Sequence, residues 1–145
     1  MKVSTKGLYA VRLMLHLAER GQGGPVSLKD ISAAQGISKK YLEQIVPSLT
    51  TARLVRAIRG AQGGYQLSKP ASSITIFDIL SATEGTLSPV GCVSEGDYTC
   101  SMAQPCMEAY MWKGLYDVMR DYLTGVTLQD IIDRESAIAA DSYSI

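Results

Sequence analysis

Residues 27–67 read SLKDISAAQGISKKYLEQIVPSLTTARLVRAIRGAQGGYQL, and this stretch decides the fold class. Its first residue, a serine, caps a helix predicted over Leu28–Gln35, which stops at Gly36. Ser38 caps a further helix, and Pro47 is expected to kink or shorten that helix because proline cannot donate the internal hydrogen bond. Two helices joined by so short a turn predict a helix-turn-helix motif.

A glycine-rich β-hairpin is predicted directly after this motif. Residues 54–58 and 65–67 are β-prone, and the glycines between positions 60 and 64 separate them. A phosphate-binding loop is excluded because no Gly-Lys-Ser/Thr follows and strands flank the glycines. A hairpin in this position is a wing. We therefore expect a mainly α fold with a small β wing, a winged helix-turn-helix domain over residues 1–85.

Further helices are predicted on both sides of the motif. Ser4 or Thr5 caps a first helix that ends at the glycines of 21–24, and Thr75 opens another over Ile76–Thr83. A cysteine-bearing loop without periodicity is expected over residues 86–106, and loops this long are commonly functional.

The clearest helical pattern lies near the carboxyl end, where we assign residues 107–145 to a dimerisation helix and a C-terminal helix and tail. Thr127 caps the last helix, which is expected to be short, with a loose end over 139–145. A small domain leaves too little core to cover the apolar stripe of the longer helix, so a second copy of the chain is its expected partner. The stripe comprises Met107, Tyr110, Met111, Gly114, Leu115, Val118, Met119, Tyr122 and Leu123.

Charge is distributed unevenly along the chain. Residues 1–70 hold eleven basic and three acidic residues, a net charge of +8, whereas residues 71–145 hold three and eleven, a net charge of −8. The basic half is the expected nucleic-acid face, since DNA phosphates attract it and repel the acidic half. No run approaches the roughly 18 apolar residues of a membrane span. Three cysteines make no disulfide framework, so we expect a soluble cytoplasmic protein.

The candidate DNA-binding residues lie at the start of the second motif helix and at the tip of the wing. The first residues of a recognition helix reach base edges, and an arginine beside a glycine-rich tip suits a narrow minor groove. The candidates are Ser38, Lys39, Lys40, Tyr41, Gln44, Arg59, Gly60, Gln62, Gly63 and Gly64.

Cys92, Cys100 and Cys106 are separated by seven and then five residues. This spacing is too wide for the Cys-x-x-Cys knuckle of a structural zinc site. Two interpretations remain open: three unrelated thiols, or soft ligands in a polar loop that hold an iron–sulfur cluster, which normally wants four ligands.

Three segments together resemble the bacterial Rrf-type winged-helix regulators: Lys2–Gly7, Gly36–Gln44 and Arg59–Tyr65. The resemblance covers nearly the whole chain. It implies a homodimeric repressor that binds an imperfect palindrome in double-stranded DNA, with the recognition helix in the major groove and the wing in the minor groove.

The presence of three cysteines in this loop is similar to the iron–sulfur cluster regulator (IscR-like) branch of that family. This resemblance implies a bound iron–sulfur cluster, and a 2Fe-2S cluster is favoured over a 4Fe-4S cluster. The first gap is longer than in that branch. Ala109 stands where a histidine ligand is expected, and Leu8 stands where other relatives supply an acid. We therefore take Glu108 as the first choice of fourth ligand and Asp97 as the second. His16 is interpreted as a surface residue.

Two other functions are considered. The chain's end, Asp141–Ile145, resembles the Ile-terminated tails by which partners of cysteine synthase enter its active site, which implies a cysteine-metabolism repressor without a cluster. An enzyme with a nucleophilic thiol is disfavoured because no histidine stands beside any cysteine as a base. The chain is therefore expected not to be an enzyme.

Overall fold

A computed structural model describes residues 2–20, 23–94, 97–98 and 106–143, with only the backbone for residues 94, 97 and 98. Its helices are α1 (Thr5–Arg20), α2 (Leu28–Gln35), α3 (Lys39–Thr51), α4 (Ile76–Glu84), α5 (Ala109–Thr124) and α6 (Leu128–Ser142). Its strands are β1 (Val55–Ile58), β2 (Gly64–Leu67), β3 (Val93–Ser94) and β4 (Asp97–Tyr98). The mainly helical fold with a two-stranded wing confirms the predicted fold class. None of the helices described is long and apolar enough to cross a membrane.

One hydrophobic core joins α1, α2, α3 and α4. Leu13 and Leu17 of α1 are fully buried in it with Ile45 and Leu49 of α3, and Leu128 at the start of α6 belongs to the same cluster. Burying one such side chain contributes about 1.5–3 kcal/mol, so this core holds α3 against the rest of the domain.

The helix-turn-helix forms as its local signals predict. The Ser27 hydroxyl accepts a hydrogen bond from the amide of Asp30 at 3.1 Å. Gly36 ends α2 with φ 65°, a left-handed conformation that favours glycine. The predicted shortening at Pro47 is wrong, because α3 continues to Thr51. Pro47 lies on the exposed face of α3, where water can satisfy the carbonyl that the proline leaves unbonded.

The wing is anchored to the loop before α2. Val55 pairs with Leu67 and Ile58 with Gly64 in the antiparallel β1–β2 hairpin. The amide of Val26 donates to the Tyr65 carbonyl at 2.9 Å, and the amide of Tyr65 donates to the Val26 carbonyl at 2.8 Å. A Cβ at Gly64 would collide with the Val26 backbone. The glycine is therefore explained by the close contact between these two backbone segments.

The start of α6 is bonded to the same domain. The amide of Ile76 donates to the Val126 carbonyl at 2.9 Å, and the amide of Leu128 donates to the Ile74 carbonyl at 3.0 Å. Thr127 forms the predicted capping box, but the helix that it opens extends to Ser142. The expected short helix with a loose end from residue 139 is therefore wrong as far as residue 142. Residues 144 and 145 of the predicted tail lie outside the described residues.

Candidate nucleic-acid interface and cysteine loop

The first turns of α3 present a polar, cationic face to solvent. The Ser38 hydroxyl accepts from the amide of Tyr41 at 3.1 Å, which fixes where the helix begins. The opposite face of α3 buries Leu42, Ile45, Val46 and Leu49 in the core. Ser38, Lys39, Lys40 and Gln44 consequently lie exposed together, as a helix that reads DNA requires.

Tyr41 is half-buried and packs back onto α1. Its ring meets that of Tyr9 edge-on, with centroids 5.4 Å apart and planes at 80°. The Arg12 guanidinium lies 5.8 Å from the centre of the Tyr9 ring and donates to the Gln35 carbonyl at 3.3 Å. Tyr9 and Arg12 thus support the motif from α1. Sequence reasoning missed this role, although their spacing of three residues puts them on one helix face.

The tip of the wing is exposed, and the conformation of its backbone explains its glycines. Arg59, Gly60 and Gln62 face solvent, and Gly60 has φ 124°. The amide of Gly63 donates to the Gly60 carbonyl at 3.0 Å, and a Cβ at Gly63 would collide with the Ile58 carbonyl. Gly60 and Gly63 therefore shape the tight turn that projects Arg59.

The cationic side chains at the start of α3 and at the tip of the wing are available to bind an external anion. Within the described part of the chain, every ion pair is formed on α5, so Lys39, Lys40 and Arg59 have none. Lys6 at the start of α1 donates to the Ser48 hydroxyl at 3.1 Å. Unpaired, exposed cations beside an exposed helix and a wing suit the phosphate backbone that flanks a DNA groove.

The interpretation of His16 as a surface residue is wrong. The residue is only 5% exposed, because α2 packs over this side of α1. The Gln35 side-chain nitrogen lies 3.3 Å from Nδ1 of the ring. Burial, and secondly the charge of Arg20, lower the pKa of His16. This buried histidine, in contact with Gln35 just before the turn of the motif, is part of the packing between α1 and α2.

The cysteine loop is described at its two ends. Cys92 and Cys106 are both half-buried free thiols. Buried Val93 anchors the loop after Cys92, and the Cys106 carbonyl accepts from the amide of Ala109 at the start of α5, at 3.3 Å. Cys100 lies outside the described residues. Among those described, no three Cys, His, Asp or Glu side chains come together as a metal site.

The structure describes the side chain of only one of the two candidates for a fourth ligand. Glu108 is exposed and directly precedes the first turn of α5, two residues after Cys106. The side chain of Asp97 is outside the described part of the structure, and only its backbone in β4 is seen.

Helix α5 has three distinct faces. An inner face buries Tyr116 against the domain. A charged face carries Lys113, whose Nζ lies 2.8 Å from Asp117 and whose hydrogen bond lowers the pKa of that carboxyl. The third face is apolar and exposed. It comprises Tyr110 (82% exposed), Met111 (43%), Leu115 (43%), Val118 (68%) and Tyr122 (71%), and we count with it Met107 (95%), which lies two residues before the helix begins.

Comparison with known proteins identifies the family. Residues 3–134 match the Rrf2 family, described as an iron-dependent transcriptional regulator. The HTH-type transcriptional regulator IscR of Escherichia coli is 36% identical over 138 residues, 95% of this chain and 84% of that protein. CymR, the global cysteine regulator of B. subtilis, superposes with a TM-score of 0.77 at 38% identity, covering 92% of this chain and 98% of its own. IscR of T. potens superposes with a TM-score of 0.74 at 34% identity, covering 93% and 88%. The chain with this exposed recognition helix and wing belongs to the Rrf2 family of winged-helix transcriptional regulators.

Proposed function

We propose that this chain is a dimeric repressor of genes for iron–sulfur cluster biogenesis or stress, and that a cluster held by its cysteine loop modulates its binding to DNA. The observation that carries the proposal is the exposed cationic surface of α3 and the wing, in a chain that also carries three cysteines between α4 and α5. The half-site would be an arm of an imperfect palindrome, with α3 in the major groove and Arg59 in the minor groove.

The DNA contacts divide into two kinds. Lys39 and Lys40, exposed and without ion pairs among the described residues, would hold phosphates. Ser38 and Gln44 would reach base edges, since a glutamine amide can pair bidentately with adenine. Tyr41 is already held against Tyr9, so it would keep the helix in place and offer at most its hydroxyl to DNA.

A homodimer would form through the outer apolar face of α5. Its six large side chains are 43–95% exposed, a contiguous stripe of a kind that marks interaction surfaces. A two-fold pairing of α5 with its copy covers the stripe on both protomers and sets the spacing of the two recognition helices.

The thiols fit an iron–sulfur cluster by their chemistry. Thiolates are the ligands that such clusters take, and Cys92 and Cys106 are half-buried at the two ends of the segment that contains Cys100. Glu108 is the proposed fourth ligand. A bound cluster would supply a redox-sensitive and iron-dependent cross-link of this loop. Because the loop connects α4 to α5, such a cross-link would alter how the dimer presents its two recognition helices.

The similarity to CymR favours a second candidate. In that case the chain would repress cysteine metabolism without a cluster and act with cysteine synthase through its tail. Tyr143, the residue directly after α6, is 91% exposed. The three cysteines would then be separate thiols.

Anaerobic reconstitution with iron and sulfide separates the two candidates. Wild-type protein is compared with Cys92→Ser, Cys100→Ser and Cys106→Ser, and with Met107→Leu as a control beside the last cysteine. The proposal expects the wild type and the control to take up iron and sulfide, all three serine variants to fail alike, and operator affinity to change with occupancy. A colourless wild type that binds DNA and cysteine synthase supports the second candidate.

A further inference from the structure

A carboxylate from α4 holds the start of α1. Glu84 is the last residue of α4, and its Oε1 accepts the Ser4 amide at 2.9 Å and the Ser4 hydroxyl at 2.6 Å. The same hydroxyl accepts from the amide of Gly7 at 3.2 Å and so caps α1. We call this set of contacts between Ser4 and Glu84 the clasp. It joins residues 80 positions apart in the chain.

The backbone of α1 is built to admit the clasp. Gly7 is buried in the first turn of the helix, and glycine is a poorer helix former than alanine. A Cβ at this position would collide with Oε1 of Glu84 and crowd Val3. A side chain at this position would therefore displace the Glu84 carboxylate from its present place beside Ser4.

The clasp lies beside the proposed DNA surface. Lys6 donates to the hydroxyl of Ser48 at 3.1 Å, and Ser48 lies one helical turn after Gln44 on α3. Lys6 therefore lies next to the recognition helix, and Lys2 stands two residues before Ser4 of the clasp. A carboxylate in this place repels DNA by its charge alone, so its presence calls for a compensating role.

We propose that Glu84 is a positioning residue for DNA binding: through Ser4 it holds the cationic start of α1, including Lys2, beside the recognition helix. The inference rests on the proposed DNA-binding role of α3. It also links the two halves of the chain, because Gly85 follows directly with φ 80° and opens the cysteine loop.

The test depends on the direction in which DNA affinity changes when an acidic side chain is removed. A duplex is selected from a random pool with wild-type protein, and its affinity is measured by fluorescence anisotropy at several salt concentrations for Glu84→Ala, Glu84→Gln and Glu19→Ala. Glu19→Ala removes the same charge from the exposed far end of α1. An ordinary surface acid, when removed, leaves DNA binding equal or tighter. We expect Glu84→Ala instead to weaken it about tenfold and to lower the salt slope by about one, the loss of one phosphate contact.

Glu84→Gln retains an acceptor oxygen and is expected to bind at least as tightly as wild type. A double-mutant cycle with Lys2→Ala separates positioning from general destabilisation: Lys2→Ala should cost affinity in wild type and little in Glu84→Ala. If Glu84→Ala does not fold, Ser4→Ala, which removes the hydroxyl from the clasp and keeps the charge, takes its place in the cycle. Unchanged or tighter binding by Glu84→Ala, or an unchanged Lys2 contribution, overturns the inference. If wild type selects no duplex at all, it is the proposed function that fails.

Discussion

Replacing Leu115 by glutamate tests whether the outer face of α5 joins two protomers. The exposed fractions of the six apolar side chains of this face add up to roughly four fully exposed side chains. Burying that much apolar surface contributes about 6–12 kcal/mol for each protomer. Association costs on the order of 4–15 kcal/mol, so the paired stripes suffice for a stable dimer. Leu115 is central in the stripe. Glutamate there would be buried without a partner at several kcal/mol in each copy, enough to dissociate the dimer.

Sedimentation velocity over a range of protein concentrations measures the effect. Thr124→Glu is the matched control, because Thr124 is exposed on the charged face of the same helix. We expect Thr124→Glu to remain dimeric and Leu115→Glu to be monomeric with an unchanged circular dichroism spectrum. DNA affinity should fall with the dimer, since each protomer then binds only one half-site. An equally stable dimer in both variants would refute the assignment of this face.

Lys40→Ala is expected to weaken DNA binding and to lower the salt slope by about one, and an unchanged slope would remove Lys40 from the interface. Arg59→Ala should cost most on operators with A·T-rich flanks, because a narrow minor groove attracts arginine; a loss independent of the flanks would indicate a phosphate contact instead. Burial lowers the pKa of His16, so the free energy of unfolding should be constant above its ordinary pKa of 6.5 and fall as the pH decreases below it toward the folded pKa. Urea unfolding at about pH 7.5 and about pH 5.5 measures this, and the same dependence in His16→Gln would contradict it, since the chain has no other histidine.

Features that depend on neighbouring residues could be predicted from the sequence. The caps at Ser38 and Thr75 and the left-handed Gly36 each act within one helical turn, so the sequence contains both partners of the interaction. The hairpin of the wing is equally local, with glycines between two β-prone runs. The exposed candidates on α3 followed from the same local pattern.

Features that depend on distant contacts could not be predicted in this way. His16 shares its helix face with Arg12 and Arg20, and only the packing of α2 against α1 explains its burial. The extension of α6 beyond residue 139 has no capping signal in the sequence that predicts it. The contact of Ser4 with Glu84 spans 80 positions, and in the sequence Gly7 gives no indication of the carboxylate that it accommodates.

The fold does not distinguish between the two proposed branches of function. The TM-scores of 0.77 with CymR and 0.74 with IscR of T. potens are nearly equal, and so are the identities of 38% and 34%. A shared fold hosts different functions, which depend on the chemistry of particular side chains. In this chain the distinguishing chemistry is in two places, the cysteine loop and the tail. A cluster requires Cys92, Cys100 and Cys106 to act as one set, whereas a tail acts independently of all three, so equal loss in the three serine variants is an outcome that only the first function explains.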